Sequence, residues 1–385
     1  MKKFLPFAQP LFGQEEKDEV SAALDSGWVT LGPRVKKFEE NFANYVGAKH
    51  AIALTSCTAA LHLSLIALDI GSDDEVITSP FTFVCSANVI IHAGAKPVFA
   101  DIDPITWNLD PTAVEKKITK NTKAIIPVHY GGHPIDMDAY EKISEKYHVA
   151  IIEDAAHAVG ASYKGTRIGA SGNLVCFSFH AIKNISTGDG GMITTNDDAL
   201  AEKLSQLRLH GMSKDAWKRH SATGSWKYDI ILPGYKYNMS DIQGAIGIRQ
   251  LEKLDYFNEL RKKYTEMYDV GFNNIPHVSI PHRASDIIHS YNLYNLKIDW
   301  SKMKISRDEM IDTLKEEGIG ANVYFMPAHL FTYYRKAHGY KEGDFPIAED
   351  VSNSILTLPL YPKMQSDDIK YIITKVKKLL QINTI

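Results

Sequence analysis

Cysteine is scarce in this chain. Three occur in 385 residues, Cys57, Cys85 and Cys176, odd in number and widely spaced. The count excludes a disulfide framework and the spacing shows no metal-ligand pattern, so the thiols read as reduced and packed. A charge excess is lacking too: 43 Lys and Arg stand against 46 Asp and Glu, a net charge of -3. The basic residues are scattered, so neither nucleic acid nor an acidic membrane surface is expected as a partner. No apolar run approaches the roughly 20 residues of a bilayer span. The opening Met1-Lys2-Lys3-Phe4-Leu5-Pro6-Phe7 is too short for a signal peptide, and a cytoplasmic location is expected. No Gly-x-Gly-x-x-Gly fingerprint follows an expected strand, and there is no Walker loop or Gly-x-Ser-x-Gly elbow. His129 and His133 stand four apart on a Gly-rich loop, not on a helix face, so no metal is expected there.

What is present is an ordinary soluble composition, 44% hydrophobic and 23% charged, long enough for two domains. Residues 14–26 and 35–46 carry helical periodicity. From residue 50, short apolar runs alternate with helical patterns. Strands are predicted at Ala51–Leu54, Glu75–Thr78, Pro97–Ala100, Ala124–Pro127, Val149–Ile152 and Leu174–Phe177. Helices are predicted at Ala59–Leu68, Val84–His92, Thr112–Ile118, Met137–Tyr147 and Ala199–Leu209. That alternation argues for an α/β fold with a mostly parallel sheet covered on both faces. Met239–Tyr268 reads as one long helical stretch leading to a second unit. There the pattern changes, with strands expected at Tyr294–Ile298 and Ala321–Phe325 and helices at Ser306–Glu317 and Asp367–Gln381. The expected division is 1–250 for a large domain and 251–385 for a smaller α+β domain.

The most informative stretch is Ser178-Phe179-His180-Ala181-Ile182-Lys183-Asn184. It puts Lys183 a few residues past an apolar strand and ahead of the glycine-rich Thr187-Gly188-Asp189-Gly190-Gly191. A lysine on such a turn can be held in a cleft and desolvated. It then loses its proton easily and becomes a nucleophilic amine able to form a Schiff base. The plain alternative is a surface lysine.

A second stretch, Ile151-Ile152-Glu153-Asp154-Ala155-Ala156-His157-Ala158, sets Asp154 at the C-terminal end of a parallel-type strand, where open α/β sheets bind ligands. A carboxylate there can pair with a protonated pyridine nitrogen, which pyridoxal phosphate needs to act as an electron sink. The alternative is a helix N-cap. Lys183, just past the next strand, favours the cofactor role.

Other segments fit the same ligand. Thr55-Ser56-Cys57-Thr58-Ala59-Ala60 lies between a strand and a helix, and amides at a helix start bind phosphate. Thr58, the Ala59 amide and Ser178 are the candidates, with simple capping by Ser56 or Thr58 as the rival reading. Phe83, just past a strand, is placed to stack on a planar ring. His157, three residues past Asp154, is placed to hydrogen-bond the same ligand.

Taken together with Asp25-Ser26-Gly27-Trp28-Val29-Thr30-Leu31-Gly32-Pro33, Pro127-Val128-His129-Tyr130-Gly131-Gly132, Pro233-Gly234-Tyr235-Lys236-Tyr237-Asn238 and Leu358-Pro359-Leu360-Tyr361-Pro362, these motifs resemble the DegT-type nucleotide-sugar aminotransferases. That family is a branch of the fold type I pyridoxal-phosphate enzymes. The resemblance implies a mostly parallel seven-stranded sheet sandwiched by helices, with a smaller C-terminal α+β domain. It implies pyridoxal 5'-phosphate bound to Lys183, with Asp154 on the pyridine nitrogen. Thr58, Ala59 and Ser178 would hold the phosphate and Phe83 would cover the ring. It also implies a homodimer with a shared site, in which Lys236 or Asn238 reaches the neighbour's phosphate. Cys57 departs from the small Gly or Ala common before the Thr, which matters little if only backbone is used there.

L-glutamate is the implied amino donor and a nucleotide-linked 4-keto sugar the acceptor, in lipid A or other cell-surface polysaccharide synthesis. Phe4-Leu5-Pro6-Phe7, His180-Ala181-Ile182-Lys183-Asn184 and Asp215-Ala216-Trp217-Lys218-Arg219 resemble the 4-amino-4-deoxy-L-arabinose synthases that act on a UDP sugar. Relatives acting on 4-keto-6-deoxyhexoses look similar, so the sugar stays open, as does a 3-keto acceptor. Related sugar dehydratases carry histidine where this chain has Lys183. A non-catalytic regulator is the other rival, and intact Lys183 and Asp154 weigh against it.

Overall fold

The computed structural model describes residues 4–213 and 228–385. The segment Asp215–Arg219, which carries part of the resemblance, lies outside the described residues. The chain opens with α1 (Gln14–Asp25) and α2 (Pro33–Val46). It then alternates through β1 (His50–Leu54), α3 (Cys57–Ala67), β2 (Glu75–Thr78), α4 (Cys85–His92), β3 (Lys96–Phe99), α5 (Pro111–Glu115), β4 (Thr122–Ile126), α6 (Met137–Tyr147) and β5 (Ala150–Asp154). The short β6 (Ser162–Tyr163) and β7 (Thr166–Arg167) precede β8 (Leu174–Ser178), β9 (Gly191–Thr195) and α7 (Asp198–Leu207).

Seven strands form one sheet in the order β1-β9-β8-β5-β4-β2-β3. β9 runs antiparallel to both its neighbours, and the other neighbouring pairs are parallel. The expected fold type I α/β class, with a mostly parallel seven-stranded sheet between helices, is what the chain adopts. Side-chain alternation along each strand explains the layering. Ile52, Leu54, Ile126, Ile152 and Cys176 face one way, into a core with α3 and α7. Ala53, Val175 and Phe177 face the other way onto α2, while Ile125 and Ile151 meet α5 and α6. Both faces are covered, as a parallel sheet requires.

The expected single helix over Met239–Tyr268 is two helices, α8 (Asp241–Glu252) and α9 (Leu254–Phe272). The joint is Lys253, whose amide bonds to Gln250 O at 3.1 Å, three residues back. Its ammonium is drawn aside by Glu15 and Glu16 at 3.0 and 2.8 Å. The rest of the chain adds β10 (Val278–Ser279), β11 (Ile287–Ile288), β12 (Tyr294–Ile298), α10 (Arg307–Glu316), α11 (Thr332–His338), α12 (Pro346–Ser354), β13 (Ile355–Leu358) and α13 (Ser366–Asn383).

The strand expected at Ala321–Phe325 is absent. Only Asn322 exchanges backbone bonds with Thr357, at 2.9 and 2.8 Å, before Tyr324 N turns to Thr357 Oγ1 at 3.1 Å. The partner of β12 is instead β13, in a three-stranded antiparallel sheet with β10. A second core gathers Tyr268, Leu296, Leu314, Leu358 and Ile372, and Leu5 from the N-terminal segment joins it. Leu5 is tied there by paired backbone bonds to Gly318 and Gly320, each 2.8 Å. No helix among the described residues is long and apolar enough to cross a membrane.

Candidate active site

The same strand alternation gathers the chemistry. Asp154 and Ser178 end β5 and β8 on the face shared with Ile152 and Cys176, where α3 begins. Glu153 points to the opposite face, where it pairs with His129 at 3.1 Å. A cavity of 290 Å³ opens at this end of the sheet. Its walls include Thr58, Phe83, Asp154, His157, Ser178 and Lys183, six of the nine predicted site residues. A larger hollow of 480 Å³ between β1 and α7 holds none of them.

Asp154 is buried. It accepts from Ser86 Oγ at 2.8 Å and from the Ala156 amide at 3.1 Å, and the Cys57 thiol lies 4.0 Å away. A hydroxyl, an amide and a thiol are its partners; none is a cation. Burial pushes the carboxyl above the usual aspartate value, while Ser86 and the Ala156 amide pull it back. Lys183 sits half-buried in the turn between β8 and β9, its amide bonded to His180 O at 2.9 Å. Burial pushes its ammonium below the ordinary lysine value, against the pull of Asp154. His157 is buried against Phe325, with the rings parallel and 5.8 Å apart. Its Nδ1 accepts from the Gly131 amide at 3.2 Å, so Nε2 carries the hydrogen. Burial, helped by the charge of Lys183, holds it well below the usual histidine value, and the ring stays neutral.

Ser56 caps α3 by accepting from the Ala59 amide at 3.1 Å. The cap therefore takes the amide expected to meet phosphate, and Ala59 does not line the cavity. The Cys57 and Thr58 amides, at the first two helical positions, precede the helix's own ladder and remain the donors at that end. Phe83 is 59% exposed, an aromatic face presented at the mouth. Lys236 and Asn238 bond to each other at 2.6 Å and lie outside the cavity of their own chain.

Sequence reasoning missed Ser86, Tyr324 and Phe325. Ser86 sits three residues past Phe83 in the first turn of α4; Phe83 lines the cavity while Ser86 is buried behind it against Asp154, and nothing in its apolar surroundings marked it. Tyr324 and Phe325 come from the segment that peels away from Thr357, and Tyr130 OH donates to the Tyr324 carbonyl.

A buried carboxylate hydrogen-bonded to no cation fits a protonated pyridine nitrogen. A helix start beside two hydroxyls fits a phosphate, and a depressed lysine facing both fits an aldehyde. This donor set, at the strand ends of a largely parallel sheet, defines a pyridoxal-phosphate enzyme of fold type I.

The chain belongs to the DegT/DnrJ/EryC1/StrS aminotransferase family, whose sequence pattern matches residues 10–377. It is 49% identical over 379 residues to the spore coat polysaccharide biosynthesis protein SpsC of Bacillus subtilis, covering 98% of this chain and 97% of that one. Among solved structures it is similar to Spr1654 of Streptococcus pneumoniae, described as a sugar aminotransferase. In the PMP form the TM-score is 0.92 at 34% identity, over 98% of this chain and 99% of that one; a PLP form also matches, at 0.91. PseC of Helicobacter pylori, an aminotransferase involved in pseudoaminic acid biosynthesis, matches with a TM-score of 0.91 at 29% identity, over 99% of this chain and 100% of that one. The family's cofactor is pyridoxal phosphate, and by family and fold the chain is a PLP-dependent sugar aminotransferase.

Proposed function

We propose that this chain moves the amino group of L-glutamate to the 4-keto carbon of a nucleotide-linked sugar, a UDP-4-keto-pentose or an NDP-4-keto-6-deoxyhexose, for cell-surface polysaccharide. The observation that carries the catalytic reading is the shared cavity of Lys183 and Asp154, an amine pushed toward neutrality facing a buried carboxylate that hydrogen-bonds to no cation. The 49% identity to a spore coat polysaccharide protein supports the product class.

In this reading pyridoxal phosphate, when bound, supplies an electron sink that makes the donor's α-hydrogen acidic. Asp154 accepts the ring N–H and keeps that nitrogen protonated. The first amides of α3, with the Thr58 and Ser178 hydroxyls, hold the phosphate, and Phe83 covers the ring. Lys183 holds the cofactor between turnovers and is set free when the donor amine arrives. Its neutral amine would then take the proton from the donor α-carbon and deliver it to the carbon that had been the cofactor's aldehyde, across the intervening nitrogen. Glutamate would leave as 2-oxoglutarate with one water consumed and its nitrogen kept by the cofactor; the keto sugar would take up that nitrogen and release its oxygen as water, with the same lysine moving the proton in reverse. Neutral His157 donates through Nε2 without changing the charge of the site.

The assembly read here is a cytoplasmic homodimer with Lys236 or Asn238 facing the partner's phosphate, and with domains at 1–250 and 251–385. The experiment is an absorbance spectrum of the protein with pyridoxal phosphate, before and after L-glutamate, followed by a screen of keto sugars. Conversion to the pyridoxamine form and amination of a 4-keto sugar are expected. Amination of 3-keto sugars alone would overturn the acceptor assignment, and no conversion with glutamate would overturn the donor.

A further inference from the structure

Arg261, in α9, is the largest fully buried side chain among the described residues, at 1% exposed. A buried guanidinium ordinarily meets a carboxylate. This one meets main-chain carbonyls instead: Leu360 O at 2.8 Å, Asn292 O at 3.3 Å, Tyr291 O at 3.4 Å and Lys183 O at 3.5 Å. Its Nε has no partner. Four carbonyl dipoles offset only part of the desolvation of a full charge, so the arrangement needs a reason beyond packing.

The residue beside Lys183 is held from the same side. Asn184 Nδ2 donates to Ser290 O at 2.6 Å and to Asn258 Oδ1 at 2.7 Å, and Asn292 Nδ2 donates to Asn184 Oδ1 at 2.7 Å. Lys183 and Asn184 are thus fastened to α9, to the 290–292 segment and to Leu360, all outside the seven-stranded sheet. The later part of the turn is held separately by α8, where Gln250 Oε1 accepts from the Ser186 amide at 3.2 Å and Gln243 Nε2 donates to Asp189 O at 2.7 Å.

We propose that Arg261 is a positioning residue for Lys183: its guanidinium ties the lysine's carbonyl to the 291–292 and Leu360 backbone and keeps a fixed positive charge behind the amine. The proposal rests on the Schiff-base role read for Lys183. Asp154, Cys57 and Cys85 face the amine and favour its proton, whereas burial and the Arg261 charge disfavour it. An acid in place of the carbonyls would cancel that charge, which accounts for its absence. Lys183 in turn disfavours a charge on His157, and His180, Asp189 and Tyr324 are the other titratable groups in the cavity wall.

The test is amine labelling of the cofactor-free full chain over a pH series, read by peptide mass spectrometry, with exposed Lys120 as internal reference. Arg261→Gln keeps donors and loses the charge. Its Lys183 midpoint is expected to rise, lowering the share of free amine near neutrality; an unchanged midpoint overturns the electrostatic half. Arg261→Lys keeps the charge and loses the fork. Its midpoint should hold, while capture of pyridoxal phosphate, followed by absorbance, slows about tenfold; capture at the parent rate overturns the positioning half. Should Arg261→Gln not fold, the two readings on Arg261→Lys decide alone, and a shifted midpoint there would count against the proposal. The labelling midpoint reports on the amine whether or not it ever holds a cofactor, so failure here leaves the Schiff-base reading to be tested separately.

Discussion

The Ser86 hydroxyl donates to the Asp154 carboxylate at 2.8 Å, from a helix that begins two residues past the stacking candidate Phe83. The segment entering α4 therefore places one side chain on Asp154 and another at the cavity mouth. Burial favours a protonated Asp154, and Ser86 works against that by stabilising the anion.

Ser86→Ala should therefore weaken the hold on pyridoxal phosphate. A hydrogen bond to a charged group contributes about 1.5–3 kcal/mol, so a loss of about tenfold or more is expected. Titrating the cofactor's absorbance in parent and variant measures it. Equal affinities would show that Asp154 does not depend on this hydroxyl.

On the other face of the sheet, Glu153 is fully buried and accepts from His129 Nε2 at 3.1 Å, Ser171 Oγ at 2.6 Å and Asn173 Nδ2 at 2.8 Å. Burial raises its carboxyl, but these donors outweigh burial and the net direction is down from 4.5. A folded value below the unfolded one means the stabilisation is complete above the unfolded value and is lost as pH falls through the folded one. Glu153→Gln should cost about 2–3 kcal/mol near neutral pH, seen as a lower Tm. The gap between parent and variant should narrow as the pH drops below 4.5. A gap that is constant with pH would contradict the ionised reading.

A site shared between two subunits, as proposed, would have an arithmetic consequence. Lys183→Ala and the double variant Lys236→Ala, Asn238→Ala should each be inactive as pure dimers. Mixed after unfolding and refolding, half of the dimers are heterodimers, each with one intact site. About a quarter of parent activity should return. A mixture as inactive as its parts would mean that Lys236 and Asn238 serve their own chain or none.

Much of this was legible in the sequence because the strands that carry the site are short apolar runs ended by polar residues. Val149–Ile152 and Leu174–Phe177 read plainly, and Asp154 and Lys183 follow them closely. Three things hid the rest. β9 and β13 had no clear signal: Gly191 leads the first out of a glycine-rich turn, and Ile355–Leu358 follows directly on α12 without a break. The joint at Lys253 contains neither Gly nor Pro, and the acids that draw it aside lie more than 230 residues away. Ser86, Phe325 and Arg261 act through neighbours that only the tertiary fold supplies, so no local spacing betrays them. The Ala59 amide shows the opposite error, a local capping bond by Ser56 that sequence reasoning had weighed and set aside.

The central claim is that Lys183 is the residue that holds the cofactor. The most direct measurement is borohydride reduction of the protein with pyridoxal phosphate, followed by peptide mass spectrometry. A single phosphopyridoxyl adduct on the Lys183 peptide is the expected result, absent from Lys183→Ala even though that variant still binds the cofactor noncovalently. An adduct on a different lysine, with Lys183 unmodified, would contradict the assignment and the roles built on it.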